Sequence, residues 1–203
     1  MKKLLALILC CIIAFGACIA ETDSAAMEEA EEGILMHGYI DPYTKYYIGV
    51  PAEWALIGPG SVPENLQQAR GIPGIDADAI YATVNEANPT LYALSENGEG
   101  LIVTYGKSEG VSTDSLISNL DQIKEGLLKQ YSGVVFDEKS GAYDLNSYSQ
   151  ILYVGMEYNN YYKIYQYYIA AGGRVYVFTF LGKTAEMKQL SQTIMTTFSF
   201  AND

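Results

Sequence analysis

Two apolar segments near the C-terminus are joined by Gly172-Gly173, and this pair limits what the chain can fold into. A two-residue glycine turn fixes the pairing of the flanking strands, so that Ala171 faces Arg174. In this register one face carries Ile169 with Tyr176, Tyr167 with Phe178 and Tyr165 with Phe180, and the other carries Ala170 with Val175, Tyr168 with Val177 and Ile164 with Leu181. An antiparallel sheet with one wet face would alternate with polar residues. The sequence therefore predicts an α+β fold, an antiparallel sheet flanked by helices on both faces in an α/β/α sandwich.

Two segments can supply the helices that cover this sheet. Leu116, Leu120, Ile123 and Leu127 recur at helical spacing and share one face, and Ser112 or Thr113 can cap that helix. A last helix is predicted over Ala185 to Met195, with Met187, Leu190 and Ile194 pointing inward. Thr184 is the expected N-cap of this last helix.

The rest of the folded part alternates short strands with short helical segments. Ser61 and Glu64 have the spacing of a capping box and predict a helix from Val62 to Arg70, whereas Asp76 to Ala87 fits a helix and a strand equally well. Turn residues between apolar runs predict two hairpins. The predicted strands are Met36 to Ile40, Tyr46 to Val50, Leu91 to Leu94, Leu101 to Tyr105, Gly133 to Ser140 and Ser147 to Tyr158.

The N-terminus has the order of a bacterial export signal. Lys2 and Lys3 precede an uncharged apolar run from Leu4 to Ala20, which is short for a membrane span of about 20 residues. Phe15-Gly16-Ala17-Cys18 resembles the lipobox of bacterial lipoproteins, although Leu usually stands where Phe15 does. The sequence favours cleavage before Cys18 with lipid attachment to Cys18, and hence a membrane-anchored, extracytoplasmic protein. Cleavage after Ala20 with secretion, or an uncleaved N-terminal anchor, stays open.

Cysteine and charge usage narrow the function further. All three cysteines, Cys10, Cys11 and Cys18, lie within the leader of residues 1–20, so the folded part can form no disulfide. Residues 21–33 are acidic, lack large apolar side chains apart from Met27, and predict a tether to a single domain over residues 34–203. The excess of 24 acids over 12 bases argues against nucleic acid as a partner.

The order of these segments resembles the PsbP-like family, which includes bacterial envelope lipoproteins. The similar residues are Tyr47-Ile48-Gly49-Val50-Pro51-Ala52-Glu53-Trp54, Tyr165-Gln166-Tyr167-Tyr168, Gly172-Gly173, Tyr176-Val177-Phe178-Thr179-Phe180 and Phe198-Ser199-Phe200. The resemblance covers most of residues 39–200 and includes no catalytic motif. It implies an α/β/α sandwich that acts as a non-enzymatic binding or assembly module.

Few residues suggest catalytic chemistry. Gly106-Lys107-Ser108-Glu109-Gly110 has the pattern of a hydrolase nucleophile elbow, but the one histidine, His37, lies far upstream rather than downstream. With one histidine and no cysteine after the leader, transition-metal sites are nearly excluded, and no cofactor is expected. A secreted hydrolase that uses Ser108 or a pair of carboxylates remains the alternative to a binding module.

Tyrosines are concentrated in the last hairpin. Tyr165, Tyr167 and Tyr168 suit a packed strand, whereas Tyr158, Tyr161 and Tyr162 lie near strand ends. A tyrosine offers a rigid apolar ring with a polar tip, which suits stacking on sugar or peptide. The sequence therefore makes Tyr158, Tyr161 and Tyr162 the candidate surface for an envelope protein or glycan.

Overall fold

The computed structural model describes residues 34–86, 90–146 and 149–200. The predicted leader, the tether and Cys18 lie outside the described residues. The strands are β1 Met36–Ile40, β2 Tyr46–Pro51, β3 Ala55–Ile57, β4 Leu91–Leu94, β5 Gly100–Lys107, β6 Val134–Phe136, β7 Gly141–Asn146, β8 Ser149–Tyr158, β9 Tyr162–Ala171, β10 Arg174–Gly182 and β11 Ser199–Phe200. The helices are α1 Pro63–Arg70, α2 Ala77–Glu86, α3 Thr113–Ser118, α4 Leu120–Gln130 and α5 Glu186–Thr196.

The strands form two antiparallel sheets. The larger sheet has eight strands in the order β3-β4-β5-β10-β9-β8-β6, with β7 also paired to β8, and the smaller sheet has the order β1-β2-β11. The register of β9 on β10 is the one that the glycine turn predicts, with Ala171 opposite Arg174 and Tyr167 opposite Phe178. The central hairpin is therefore confirmed residue by residue.

Both faces of the eight-stranded sheet are covered, as the two apolar faces of the hairpin predict. On one face Leu116, Ile123 and Leu127 of the helices pack with Tyr168 and Val177 of the sheet. On the other face α5, through Met187 and Ile194, shares the cover with the three-stranded sheet. The predicted sandwich is confirmed, and its second outer layer combines a helix with a small sheet.

The helix predicted around Leu116 consists of two shorter helices. Asn119 separates α3 from α4, with φ −101° and ψ 16°, which are not helical values. Ser112 caps α3 as predicted, because its side chain accepts from the backbone N–H of Ser115 and the Ser115 hydroxyl accepts from the N–H of Ser112. Leu116 and Ile123 still reach the same core, so the break changes the helix axis and leaves the buried stripe in place.

The capping predictions for the other helices are wrong. Helix α1 begins at Pro63 after Val62, without a side-chain cap, because the Ser61 hydroxyl accepts from the N–H of Gly58 and donates to the carbonyl of Leu56. Helix α5 has Ala185, not Thr184, at its N-cap. In both cases the predicted cap makes a side-chain hydrogen bond to another local partner: Ser61 bonds to Gly58 and Leu56, and Thr184 bonds to the Glu186 side chain.

Two segments could not be predicted in detail. Residues 77–86 are the helix α2, whose Ala77 and Val84 are buried two turns apart. The strand predicted from Gly133 to Ser140 is the short β6, and a turn at Asp137 then leads into β7, which the sequence did not predict. Strands β6 and β7 pair with consecutive parts of β8, so the turn allows one long strand to bind two short ones.

Candidate functional site

The three predicted site tyrosines lie together at the end of the β8–β9 hairpin. Tyr158 and Tyr162 are register partners across the two strands. The turn between them contains Asn159 and Asn160, each with φ 54°, and the Tyr161 N–H donates to the Tyr158 carbonyl at 3.2 Å. Asparagine tolerates this left-handed backbone better than most residues, which explains two asparagines in succession.

Two further residues, distant in sequence, contact these tyrosines. The ring of Tyr131, which follows α4, lies edge-on to Tyr158 with centroids 5.9 Å apart. Tyr161 lies edge-on to Tyr162 at 4.7 Å, and the Lys183 Nζ atom lies 5.2 Å from the centre of the Tyr161 ring. We call the group of Tyr131, Tyr158, Tyr161, Tyr162 and Lys183 the tyrosine surface.

The tyrosines of this surface differ in exposure, and Lys183 gives the surface a positive charge. Tyr161 is 47% exposed, whereas Tyr158 and Tyr162 are half-buried and pack against the helix-side core. Lys183 belongs to none of the ion pairs between described residues. Its neighbour Lys163 pairs with Glu157. The surface thus combines two tyrosines packed against the core, one accessible tyrosine ring and one ammonium. Within the described part of the chain, this ammonium forms no ion pair with a carboxylate.

The other tyrosines of the hairpin are buried on the opposite side or deeper in the sheet. Tyr165 is 7% exposed, and Tyr167 and Tyr168 are fully buried. The Tyr167 hydroxyl shares a hydrogen bond of 2.9 Å with the Ser191 hydroxyl of α5. Tyr168 donates to the Gln166 side chain at 2.6 Å. These hydroxyls hold the core together and do not reach a binding surface.

A lysine, an aspartate and a tyrosine meet where α5 contacts the turn between β6 and β7. The Asp137 Oδ2 atom accepts from Lys188 Nζ at 2.5 Å and from the Tyr153 hydroxyl at 3.1 Å, and Oδ1 accepts from the N–H of Lys139 at 2.9 Å. Burial acts to raise the pKa of Asp137, but the hydrogen bond from Lys188 and the other donors outweigh it, and the pKa is lowered. These hydrogen bonds stabilise the packing of α5 against the β6–β7 turn and β8.

A second polar group is buried beneath the β1–β2 turn. Asp41 is fully buried, and its Oδ2 atom accepts from the N–H of Tyr43 and from the N–H and hydroxyl of Thr44. Among the described residues, the buried side-chain atoms without a hydrogen-bond partner are Asp41 Oδ1 and the hydroxyls of Tyr39 and Tyr46. Burial, and then the Asp41 charge among the neighbouring groups, raises the pKa of Tyr39.

The structure does not assemble the hydrolase site of the alternative hypothesis. Ser108 lies in the loop after β5, where its N–H donates to the Gly173 carbonyl, and α3 starts only at Thr113. His37 lies exposed on β1 in the other sheet. Among the described residues, the backbone of Ser108 bonds to Gly173 and Val111, and the histidine that a nucleophile elbow would need as its base lies on a strand of the other sheet.

Among the described residues, the carboxylates of Glu53 and Glu186 lie close enough to Glu99 for their charges to act on it. Glu99 is half-buried, and burial, followed by the charges of Glu186 and Glu53, raises its pKa. No hydrogen bond between described residues joins the three side chains. In the same part of the chain, no three His, Cys, Asp or Glu side chains are grouped so that they could hold a metal ion.

Within the three described ranges, no helix combines the length and the apolar composition that crossing a bilayer requires.

The class of protein defined by this fold is an antiparallel α/β/α sandwich with an aromatic surface at one hairpin end. Among solved structures, the cyanobacterial PsbP protein CyanoP from Synechocystis is similar over 87% of this chain and 98% of its own, with a TM-score of 0.51 and 10% identity. The chain therefore has a PsbP-like fold, and the resemblance seen in the sequence is confirmed at the level of the fold.

Two further solved structures match this chain with TM-scores below 0.5. LpqN of Mycobacterium tuberculosis, described as involved in cell envelope biogenesis, matches over 83% of this chain and 92% of its own at 13% identity, with a TM-score of 0.42. A Bacteroides thetaiotaomicron protein matches over 82% of this chain and 48% of its own at 9% identity, with a TM-score of 0.43. No protein-family model matches the sequence, and a search of curated proteins finds no match.

Proposed function

We propose that this chain is an exported, lipid-anchored module of the bacterial cell envelope that binds another envelope protein and catalyses no reaction. The export and the anchor rest on the leader and on Cys18. The binding role rests on the tyrosine surface, and above all on one observation, the accessible Tyr161 ring that contacts both Tyr162 and Lys183. The PsbP-like fold supports a binding role, because the resemblance includes no catalytic motif.

A polypeptide suits the tyrosine surface better than a glycan. A sugar ring stacks on an uncovered aromatic face, whereas the Tyr161 ring already contacts a neighbouring tyrosine and an ammonium. Interfaces between proteins are enriched in tyrosine, and a few aromatic side chains often contribute most of the binding energy. The expected partner therefore presents an apolar side chain to Tyr161 and a carboxylate to Lys183.

Photocrosslinking in living cells tests this binding surface. We expect a photoreactive phenylalanine analogue at Tyr161 to give one discrete crosslinked product in the envelope fraction, because the proposed contact is centred on this ring. Tyr43 is the matched control, since it is 59% exposed and lies on the β1–β2 turn. Lys183→Ala, combined with the analogue at position 161, is expected to weaken the product. Equal products at positions 43 and 161, or none at 161, would contradict the proposed surface.

Metabolic labelling tests the anchor separately. We expect a radiolabelled fatty acid to be incorporated into the wild-type chain and to be absent from Cys18→Ala, because the thiol of Cys18 is the proposed site of acylation. The variant should also leave the membrane fraction, since a lost lipid removes the main source of membrane affinity. Membrane retention of an unlabelled, uncleaved chain would instead support the N-terminal anchor.

A further inference from the structure

Strand β1 is the outermost strand of the small sheet, and its outer edge has no partner strand among the described residues. Along β1 the Leu35 carbonyl accepts from Ala52 N–H, and the Asp41 N–H donates to the Tyr46 carbonyl. Backbone groups alternate in direction along an antiparallel strand. The N–H and C=O groups of Ile34, Met36 and Gly38 therefore point away from β2 and are available to another strand.

This edge is apolar and uncharged in an acidic protein. Ile34 is 48% exposed, Leu35 is 74% exposed and Ile40 is 55% exposed. The stretch from Ile34 to Ile40 contains no Asp, Glu, Lys or Arg. Exposed edge strands are normally protected by charges, proline or a bulge, and an unprotected one readily pairs with another chain.

One end of the edge is more open than the other. The loop after β3 borders the Ile40 end, because a Cβ atom placed on Gly60 would lie 3.8 Å from the Ile40 carbonyl oxygen. At the other end Met36 is half-buried, and Ile34, Leu35, His37 and Gly38 are exposed. The accessible part of the edge therefore runs from Ile34 to Gly38.

We propose that a second copy of this chain pairs with β1 in antiparallel fashion, about a two-fold axis at Met36. The outward-pointing residues Ile34, Met36 and Gly38 are spaced evenly around Met36, so the same three residues of both copies meet. Ile34 of each copy is opposite Gly38 of the other, and the two Met36 residues are opposite each other. The two small sheets become one continuous sheet across the axis.

Charge and chain connection favour a second copy as the occupant. A formal net charge of −12 makes the charged surfaces of two copies repel, whereas residues 34–40 contain no Asp, Glu, Lys or Arg and add no like-charge repulsion of their own. Residues 1–33 join the described part at Ile34, directly beside this edge. If Cys18 carries a lipid, as proposed above, the copies are concentrated at one membrane surface, which favours a weak contact.

The dimer is expected to be weak. A pair of short strands covers much less than the roughly 1,600 Å² of a standard protein interface. We therefore expect dissociation on dilution of the purified chain. Formation in the membrane depends on the number of copies present there.

A cysteine introduced at the axis tests the pairing, because the native cysteines all lie in the leader. Opposite residues of a hydrogen-bonded antiparallel pair have Cα atoms about 5.5 Å apart, within the range of about 4.4–6.8 Å that a disulfide spans. We expect the full-length Met36→Cys chain in isolated membranes to form a disulfide-linked dimer on mild oxidation. Wild type, oxidised in the same way, measures any product of the leader cysteines.

Two variants are matched controls for accidental collision. Ile40→Cys lies on the same strand, but the two thiols would be about 27 Å apart, eight residues at about 3.4 Å each. The second control is Val135→Cys. Val135 is 61% exposed and lies on β6, at the edge of the other sheet. Neither is expected to give a dimer. Equal yields in Met36→Cys and either control, or a crosslink to a different protein, would overturn the proposal.

A charge on the edge supplies a second test that does not depend on the cysteine. We expect Leu35→Lys to reduce the disulfide yield of Met36→Cys to that of the Val135→Cys control, and Leu128→Lys, at a side chain 50% exposed on α4, to leave it unchanged. In sedimentation of the purified full-length wild type, the mass should rise from one copy to two with concentration, and Leu35→Lys should remain at one. A wild type that stays at one copy throughout would overturn the proposal even if Met36→Cys fails to fold.

Discussion

Phe178→Ala is expected to lower the free energy of unfolding by about 3–5 kcal/mol, which is the cost of removing a large aromatic side chain from a packed core. Phe178 is fully buried on the central strand β10, between Tyr167 and Val103. Its ring lies edge-on to Tyr46 of the small sheet at 5.9 Å and to Phe198, between α5 and β11, at 5.1 Å. One side chain therefore joins the eight-stranded sheet to the small sheet and to the segment that connects α5 with β11.

Equilibrium unfolding in urea, followed by circular dichroism, measures this loss. A domain of this size has a total stability of about 5–15 kcal/mol, so the variant should lose a large part of it and unfold at a clearly lower urea concentration than wild type. Tyr161→Ala removes an aromatic ring at an exposed position and should cost less than about 1 kcal/mol. If the two variants were equally stable, the cover of small sheet and α5 would not depend on Phe178.

Asp137→Ala is expected to lower the free energy of unfolding by about 1.5–3 kcal/mol at pH 7, the range for hydrogen bonds to a charged group. The substitution leaves Lys188 Nζ and the Tyr153 hydroxyl without their common acceptor. Both side chains of the Lys188–Asp137 pair are less than one third exposed, so water replaces the lost contacts only in part. Unfolding in urea at pH 7 measures the difference.

The same comparison at lower pH tests the cause. The folded-state pKa of Asp137 is lowered, so its stabilising effect is present above the unfolded value of about 3.9 and is lost as the pH falls through the folded pKa. The difference between wild type and Asp137→Ala should therefore shrink below about pH 4. Asp144→Ala removes the same charge from an exposed position on β7 and should change stability by about 0.5 kcal/mol or less. A loss that does not vary with pH would argue against the ion pair.

Much of the fold could be predicted because its signals are local. The glycine turn fixed the register of β9 on β10. Because both faces of this hairpin are apolar, a packed layer was required on each side of the sheet. The periodicity of Leu116, Ile123 and Leu127 located the helical cover correctly. It could not locate the break at Asn119, because the same buried stripe is compatible with one helix or with two.

The candidate site could be predicted only in part. Tyr158, Tyr161 and Tyr162 were found because they are neighbours along the chain and lie at strand ends. Tyr131 and Lys183 were missed, although they contact the same surface, since each lies more than twenty positions from the tyrosine that it touches. Their individual sequence contexts, a helix end and a strand-to-helix loop, carry no sign of a shared site.

The sequence by itself determined the sheet's central hairpin and its two-sided burial, since turn chemistry and hydrophobic spacing act between residues close along the chain. Tertiary structure alone decided that the small sheet shares the second face with α5, and that Asp137 meets Lys188 across 51 positions. It also decided that the Thr197 hydroxyl accepts from Gly49 across 148 positions. Such contacts depend on how completed strands and helices pack, and that packing has no signature in any single stretch of the chain.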